Sequence, residues 1–371
     1  MASETLPDRL KKIEELESIR GLAALLVLFF HIPKWNPVLD IGIVNNGYLM
    51  VDLFFVLSGF VIFNAYLDKI STRKDLIRFQ FLRFGRLYPV HIIFLLVFIL
   101  IDLAKYIAKV RLGVTGFGSV PFGENNFDAF IKNVFLIQSV LPNQPLTYNH
   151  PSWSISVEFY TYLVFGLIVL FFRKSTILLF SLLAAISLAI LVTESAFGNE
   201  SILRCFTGFF VGCLTAEVTK KKKLILPGYI SFIVTILIVA FLQLKSTKNL
   251  DFLIYFLTAG LIVSLVLSQK SLLNKILNFK ALTWLGGVSY SVYMSHAVIL
   301  WAVQQFCYII LKKPKIILAN GEGILRLSGV DTLIACSMTV ASVLVVSAFV
   351  FNFVEKPLRE KSRRFAFGKL S

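Results

Sequence analysis

The stretch that decides the fold is residues 17–31, with the sequence ESIRGLAALLVLFFH. It is an apolar run with a guanidinium near its start and an imidazole at its end. Eleven residues of an α-helix turn through about 1100°, so Arg20 and His31 fall within roughly 20° of one face, about 16–17 Å apart along the axis. Pro33 follows almost at once and predicts that the helix ends just past His31.

This pair of polar groups is unusual for a membrane helix. A cation and a titratable ring on one apolar stripe are costly unless they face protein, water or a ligand. Taken alone, Arg20 could instead extend its charge to the lipid surface, and His31 could simply cap the helix. Their shared face favours a functional pair.

The composition is that of a membrane protein. The chain has 371 residues, 57% of them hydrophobic, and a mean hydropathy of +0.79. Apolar segments of about 16–24 residues recur along most of it. We therefore predict an all-α, polytopic membrane helical bundle, one domain over residues 1–371, with about ten transmembrane helices. The predicted spans lie near residues 17–32, 47–67, 87–108, 153–172, 175–193, 202–219, 224–243, 251–268, 284–311 and 330–353.

The basic residues predict how the bundle is oriented. With a cytoplasmic N-terminus, roughly two thirds of the 37 lysines and arginines fall in inside segments, as the positive-inside rule requires. This predicts a multi-pass protein of the plasma (bacterial inner) membrane with both termini in the cytoplasm. Because the basic residues lie in loops that orient the protein in the membrane, they account for the formal charge of +16, and no nucleic-acid partner is expected. Residues 1–17 show no signal-peptide pattern, so the first helix is expected to remain as a span.

Asp52 lies in the second predicted span, within the motif VDLFFVLSGF at residues 51–60. It is at about the level that His31 reaches, and a carboxylate near an imidazole would orient the ring and raise its basicity. The alternative is a buried structural pair with a neighbouring helix. Gly59 shares the face of Asp52 and predicts close helix packing.

Glu158 is a second carboxylate inside a predicted span. It follows Ser154 by four residues, so both side chains are expected on one helix face. Trp153 suits an interface anchor, but a glutamate five residues into a span favours a role in or beside a site.

Arg83 and Arg86 form a basic ridge ahead of Pro89. Such a cluster usually orients a helix in the membrane. It could also bind the phosphates of an anionic donor, since guanidinium groups suit phosphate.

Three other histidines carry weaker signals. Ser289 and His296 share a helix face, so His296 could contribute to a cavity, although a packing role is the simpler interpretation. His91 and His150 have no evident partners.

Several kinds of site find no support in the sequence. It shows no phosphate-binding loop, dinucleotide fingerprint or zinc pattern, so no metal and no permanently bound cofactor is expected. The four cysteines lie in or beside apolar runs and suit packing rather than disulfides. Residues 109–152, rich in Gly, Pro and Asn, contain a mixed segment at 127–141 that suits an interfacial or re-entrant helix, beside which an acceptor could enter.

Taken together, these segments resemble the acyltransferase-3 family of integral membrane acyltransferases. The resemblance rests on the spaced pair Arg20 and His31, the motif at 51–60, residues 83–89, WSISVE at 153–158, residues 290–296 and VEKPLR at 354–359. The segments occur in family order from end to end, and the ordered set is more specific than any one motif.

The resemblance implies transfer of an acyl group, commonly acetyl, from cytoplasmic acyl-CoA to a hydroxyl of a carbohydrate or glycosylated acceptor. It implies that His31 is catalytic and that Arg20 is its essential partner on the donor side. Asp52 and Glu158 would support the catalytic site. The basic residues Arg83 and Arg86 would bind the donor together with Arg20.

On this interpretation an aqueous tunnel along the first helix joins the cytoplasmic arginines to His31. The main alternative is a transporter or flippase of a glycan or glycolipid, because intramembrane charges also mark substrate pathways. We find no inverted repeat to favour it. The sequence leaves open the acceptor, the acyl length, the oligomeric state and the choice between a general base and an acyl-histidine.

Overall fold

The computed structural model describes residues 13–113, 120–221, 225–269, 271–317 and 323–368. Most of these residues are helical, which confirms the predicted all-α class; two short strands, β1 (Lys315–Ile317) and β2 (Gly323–Leu325), form an antiparallel pair. The α-helices are α1 (Glu14–His31), α2 (Gly42–Asn45), α3 (Met50–Tyr66), α4 (Arg73–Leu112), α5 (Phe127–Val134), α6 (Trp153–Phe171), α7 (Thr176–Val192), α8 (Glu200–Lys221), α9 (Tyr229–Leu244), α10 (Leu253–Leu267), α11 (Leu272–Leu277), α12 (Lys280–Gln305), α13 (Gly329–Val350) and α14 (Lys356–Ala366). They are extended or joined by 3₁₀ turns at Pro37–Leu39, Gly47–Leu49, His150–Ser152, Arg173–Ser175 and Lys248–Leu250, and by π-helical turns at Phe306–Ile310 and Phe351–Glu355.

The described helices support the predicted membrane spans. Within the residues described, eight helices are long and apolar enough to cross a membrane, and they correspond to eight of the ten predicted spans. The other two predicted spans are helices as well: α9 is apolar but has only 16 residues, and α1 has 18 residues but carries three glutamates in its first turn. The chain is a multi-pass helical membrane protein.

Helix α4 departs most from the prediction, because it begins at Arg73 rather than near residue 87. A capping box starts it there: the Thr72 hydroxyl accepts from the N–H of Asp75, whose carboxylate accepts from the N–H of Thr72. Its 40 residues span about 60 Å, roughly twice the apolar thickness of a bilayer. Arg83 and Arg86 therefore lie on a continuous helix that extends well beyond the membrane core.

Glycines allow the central helices to pack backbone to backbone. A Cβ on Gly286 of α12 would clash with the carbonyl oxygen of Glu17 in α1, and a Cβ on Gly59 of α3 would clash with that of Phe209 in α8. Neither position admits a larger residue without moving a helix, so the close packing predicted at Gly59 is confirmed. Helix α1 packs against both α3 and α12.

The bundle has two ends, which we call the arginine end and the histidine end after the residues of α1 that lie there. At the arginine end, α14 packs along the first turns of α4, where Arg78 Nε donates to the carbonyl oxygen of Ala366 at 3.0 Å. At the histidine end, Asn36 donates to the carbonyl oxygen of Leu327. The sidedness of these ends stays a prediction. Seven basic residues used for it lie outside the described residues: Arg9, Lys11, Lys12, Lys222, Lys223, Lys270 and Lys369.

The long connection between α4 and α6 folds against the bundle. The side chain of Asn126 caps α5, which lies inside the predicted mixed segment. His91 Nε2 in α4 donates to the carbonyl oxygen of Asn133 at 2.9 Å, and the side-chain amide of Asn149 donates to the carbonyl oxygen of Met294 in α12 at 2.9 Å. The bond from Asn149 holds the chain just before α6 beside α12.

Candidate active site

Arg20, Arg83 and Arg86 line one cavity at the arginine end, which we call the arginine cavity. Its volume is about 120 Å³. Helix α1 contributes Arg20, α4 contributes Arg83 and Arg86, and Glu158 of α6 is the carboxylate in the lining. The three arginines that the sequence proposes for the donor therefore converge, although they are distant along the chain.

Two of these guanidinium groups are paired with protein carboxylates. Arg86 Nη1 is 3.4 Å from an oxygen of Glu355, a carboxylate that is only 1% exposed. Arg20 Nη1 is 3.5 Å from Glu17, one turn earlier in α1. Each pair neutralises part of the positive charge at the cavity, since opposite charges at this separation attract strongly in a partly buried position.

Arg83 is held differently, by aromatic rings. Its guanidinium lies 5.2 Å from the ring centroid of Tyr66, and Nη2 donates to the hydroxyl of that tyrosine at 3.2 Å. Among the residues that the structure describes, Arg83 forms no ion pair, and its buried Nε has no hydrogen-bond partner. Arg83 is therefore the guanidinium best placed to bind an added anion.

Glu158 faces the arginine cavity from α6. Its Oε1 accepts a hydrogen bond from the hydroxyl of Tyr162 at 2.5 Å, and that hydroxyl lies 2.8 Å from Ser58 Oγ in α3. Ser154, one turn before Glu158, lines the same cavity. The shared face predicted for Ser154 and Glu158 is thus confirmed.

His31 lies in a second cavity of about 870 Å³, which we call the histidine cavity. Its Nδ1 is 2.8 Å from the carbonyl oxygen of Val27, one turn earlier in α1. A carbonyl oxygen can only accept, so the neutral ring carries its proton on Nδ1. Within the described part of the chain Nε2 has no hydrogen-bond partner, and its lone pair is the basic site of the ring. Helix α1 ends at His31, as Pro33 predicts.

Asp52 lines the histidine cavity as well, but it does not orient His31 as expected from the sequence. Its buried carboxylate accepts two hydrogen bonds from Arg204 of α8, at 3.0 Å from Nε and 2.7 Å from Nη2. Tyr255 of α10 donates a third, at 3.0 Å. The imidazole is oriented by the carbonyl of Val27 instead. The geometry at Asp52 is the buried structural pair that the sequence left as the alternative.

Sequence reasoning missed Arg204 and Tyr255. A lone arginine in the apolar run 202–219 is the same kind of signal that singled out Arg20, and it could have identified Arg204. Its guanidinium lies 5.0 Å from the ring centroid of Trp153, so this tryptophan, expected as an interface anchor, forms part of the cavity wall. Tyr255 carries no distinguishing signal in its span.

The two cavities adjoin. Val51 and Tyr293 line both of them and form part of the wall between them. The Tyr293 hydroxyl donates to the carbonyl oxygen of Pro151 at 2.8 Å and lies 2.9 Å from Ser154 Oγ, which fixes the ring in place. The structure therefore shows two cavities with a shared wall where the sequence predicts one continuous tunnel.

His296 of α12 packs directly against His31, with their ring centroids 4.8 Å apart. Ser289, on the same helix, lines the arginine cavity. His91 is buried and bonded to the α5 segment, away from the lining of either cavity. No group of three or more His, Cys, Asp or Glu side chains in the described ranges is arranged to hold a metal ion.

The linings of the two cavities differ in charge. Three guanidinium groups and one carboxylate line the arginine cavity, although two of the guanidinium groups are paired with Glu17 and Glu355. Four carboxylates and two cations line the histidine cavity, although one of the carboxylates, Asp251, is paired with Lys245. Low-dielectric walls strengthen both fields. Arg83, which has no carboxylate partner in the described residues, favours an anion in the arginine cavity, and the remaining carboxylates favour a neutral or cationic group in the histidine cavity. The charged residues of the histidine cavity are Asp52, Glu194, Glu200, Asp251, Arg204 and Lys248.

These features define a polytopic helical membrane protein in which a cavity lined by three arginines adjoins a second cavity lined by the imidazole of His31. The sequence model of the acyltransferase-3 family, described as an acyltransferase domain, matches residues 13–351. The chain belongs to this family.

Curated relatives extend the comparison. The chain is 25% identical over 382 residues to a peptidoglycan O-acetyltransferase, OatA, of Listeria monocytogenes, covering 94% of this chain and 56% of the relative. It is 24% identical over 386 residues to an O-acetyltransferase, OatA, of Staphylococcus aureus, covering 95% and 58%. It is 32% identical over 178 residues to an acyltransferase, MdmB, of Streptomyces mycarofaciens, covering 46% and 42%. The chain thus spans about half the length of the curated relatives it matches. No solved structure shows significant similarity to it.

Proposed function

We propose that this protein is a membrane O-acyltransferase that moves an acyl group, acetyl in the first instance, from acyl-CoA to a hydroxyl of a carbohydrate or glycosylated acceptor. Family membership supports acyl transfer. The names of the OatA relatives support an acetyl group, an ester product and a glycan acceptor. The concentration of basic residues in the predicted inside loops supports a cytoplasmic arginine end in the plasma (inner) membrane.

The arginine cavity is the proposed donor site. The phosphates of CoA are anionic, and guanidinium groups bind phosphate through two parallel N–H donors. Arg83 would make the main phosphate contact because it has no carboxylate partner in the described residues. Arg20 and Arg86 would add positive charge nearby while their own carboxylates hold them in place.

The histidine cavity is the proposed acceptor site. Its excess of carboxylates disfavours binding of a polyanion, whereas a neutral sugar or an amino sugar is compatible with this charge. Tyr48, Trp153 and Tyr255 in its lining supply flat apolar surfaces, and its carboxylates supply hydrogen-bond acceptors for sugar hydroxyls. A volume of about 870 Å³ leaves room for more than one sugar unit.

In the proposed reaction, His31 Nε2 takes the proton of the acceptor hydroxyl as the hydroxyl oxygen attacks the thioester carbonyl carbon. The carbon–sulfur bond breaks, the acyl group stays on the acceptor as an ester, and the CoA thiolate receives the proton. In the other possible course His31 attacks the thioester first, and the acceptor then removes the acyl group from the ring. Both courses use the Nε2 lone pair. To reach His31 the thioester has to pass Val51 and Tyr293, so this reaction requires Tyr293 to leave its hydrogen bonds to Pro151 and Ser154.

One observation carries the proposal: His31 Nε2, which has no hydrogen-bond partner among the described residues, lies in a cavity that adjoins a cluster of three arginines. The test incubates the purified protein in phospholipid nanodiscs with labelled acetyl-CoA and soluble peptidoglycan fragments. We expect free CoA and an acetyl increment on the glycan in equal amounts, measured by mass spectrometry. A transporter or flippase would leave both the glycan and the donor unmodified.

Replacing Arg83 by alanine should raise the apparent KM for acetyl-CoA about 10- to 100-fold, because a charge-assisted hydrogen bond contributes about 1.5–3 kcal/mol. The folded protein should be retained, since no described carboxylate is left unpaired. Arg173→Ala is the matched control: Arg173 pairs with the exposed Asp68 and does not line the cavity. An unchanged KM in Arg83→Ala would rule out its role in donor binding.

Replacing Arg20 by alanine should lower kcat/KM for acetyl-CoA at least about tenfold, because the charge that α1 presents to the donor is lost. Arg20→Lys keeps the charge but not the forked donor geometry, so its kcat/KM should lie between the values of the unaltered enzyme and Arg20→Ala. Steady-state rates at varied donor concentration measure this. An Arg20→Ala enzyme with unaltered rate and donor affinity would contradict the assignment.

A further inference from the structure

His296 is an interior histidine that the proposed reaction does not use. Its side chain has no exposed surface, and in the described chain neither ring nitrogen has a hydrogen-bond partner. The carbonyls of Val292 and Tyr293, one turn earlier in α12, lie near the ring without forming a hydrogen bond of normal geometry. An imidazole held in this way loses its bonds to water and gains none, so packing alone would favour leucine or phenylalanine here.

The polar group that His296 packs against is the imidazole of His31. The ring centroids are 4.8 Å apart and the planes are inclined by 51°. A nitrogen-to-nitrogen hydrogen bond of about 3 Å between two imidazoles puts their centroids about 5 Å apart, so rotation about one side-chain torsion would align such a bond. Because Val27 engages Nδ1 of His31, Nε2 is the nitrogen available to His296.

We propose that His296 is a positioning residue that stabilises the proton carried by His31 during acyl transfer. This inference rests on the proposed function of His31. When Nε2 of His31 takes the acceptor proton, an imidazolium forms in a low-dielectric interior. Once the acceptor oxygen has formed its ester bond and releases that N–H, rotation of the His31 side chain turns the N–H toward a ring nitrogen of His296, which accepts the hydrogen bond and stabilises the charge. The proton then returns from the pair of rings to the CoA thiolate, so none is gained or lost overall.

The surroundings of His296 suit this role. Ser295, its neighbour in the chain, bonds to Ser347 of α13 rather than to the imidazole. Tyr293 presents its ring at 5.8 Å between centroids. Within the described ranges no carboxylate bonds to His296, so no counter-ion would trap a proton that arrives from His31.

The test compares three variants in the nanodisc assay with acetyl-CoA and soluble peptidoglycan fragments. His296→Phe removes both nitrogens and keeps a ring, His296→Gln restores a polar side chain, and Ser295→Ala alters the same turn of α12 without changing either imidazole. We expect His296→Phe to lower kcat at least about tenfold with both KM values within about twofold. His296→Gln should recover several-fold of that loss, and Ser295→Ala should match the unaltered enzyme.

Unchanged kcat in His296→Phe would overturn the inference. Equal losses in all three variants would also overturn it, because they would indicate a packing role for this turn of α12. Two further results separate this inference from the proposed function. If the unaltered enzyme transfers no acetyl group, the proposed function fails. If His31→Ala keeps full transfer, the role of His31 fails and the inference about His296 fails with it; if His31→Ala is inactive while His296→Phe is fully active, only the inference about His296 fails.

Discussion

Replacing His31 by alanine should lower kcat for acyl transfer about 100- to 10,000-fold, the range contributed by a positioned proton-transfer group. The reason is geometric: Val27 holds the proton on Nδ1, so Nε2 is the lone pair that the ring offers to the histidine cavity. The carboxylate of Asp52, which lines the same cavity, is already bonded to Arg204 and Tyr255. The loss should appear in labelled acetyl transfer from acetyl-CoA to peptidoglycan fragments.

The loss should not come from misfolding. His31 is the last residue of α1, is only partly buried, and makes its hydrogen bond to its own helix, so its removal costs about 1 kcal/mol. The matched control is His91→Ala, which removes a buried histidine with one backbone bond that lines neither cavity. That variant should retain transfer. Full activity in His31→Ala, with membrane insertion checked for both proteins, would refute the assignment.

Rapid-quench labelling decides between the two chemical courses for His31. Mixing the enzyme with labelled acetyl-CoA in the absence of acceptor should leave label on the protein if an acyl-histidine forms, and none if His31 acts as a base. Label retained in His31→Ala would place the acyl group on a different side chain and contradict the covalent course through this ring.

The parts of the site that the sequence predicts correctly are set by local geometry. Helical periodicity places Ser154 and Glu158 on one face, and Pro33 ends α1 at His31, because both effects depend on residues within a few turns. Long apolar runs likewise decide the helical class without reference to tertiary contacts. The start of α4 at Arg73 is also local, and the capping box that produces it was overlooked.

The rest depends on which helices meet, and that is not a local property. The partners of Asp52 come from α8 and α10, so the sequence could offer only a choice between a catalytic and a structural carboxylate. His296 reaches His31 because α1 and α12 touch near Gly286, a contact invisible in either helix alone. The wall at Tyr293 depends on hydrogen bonds from its hydroxyl to α6 and to the turn before α6. The sequence alone therefore could not distinguish a continuous tunnel from two cavities.

Asp52→Ala is expected to reduce the yield of folded protein rather than only the rate. Asp52 is one half of a buried, doubly hydrogen-bonded ion pair, and its removal leaves the Arg204 guanidinium without a counter-ion at a cost of about 3–5 kcal/mol. Tyr255 loses its hydrogen-bond acceptor as well. Thermal unfolding of the purified variant in detergent measures the loss. Asp68→Ala, which breaks the exposed pair with Arg173, should change stability by less than about 1 kcal/mol.

Replacing both members of the buried pair separates its structural from its chemical role. Apolar side chains of similar volume can replace a buried ion pair without loss of stability, so Asp52→Leu combined with Arg204→Met should recover most of the lost thermal stability. Because the described bonds of Asp52 go to Arg204 and Tyr255 and none goes to His31, we expect this double variant to keep transfer within about tenfold of the unaltered enzyme. A stable double variant with no activity would contradict this expectation. If Asp52 has only a structural role, its carboxylate is not needed for transfer once the fold is restored.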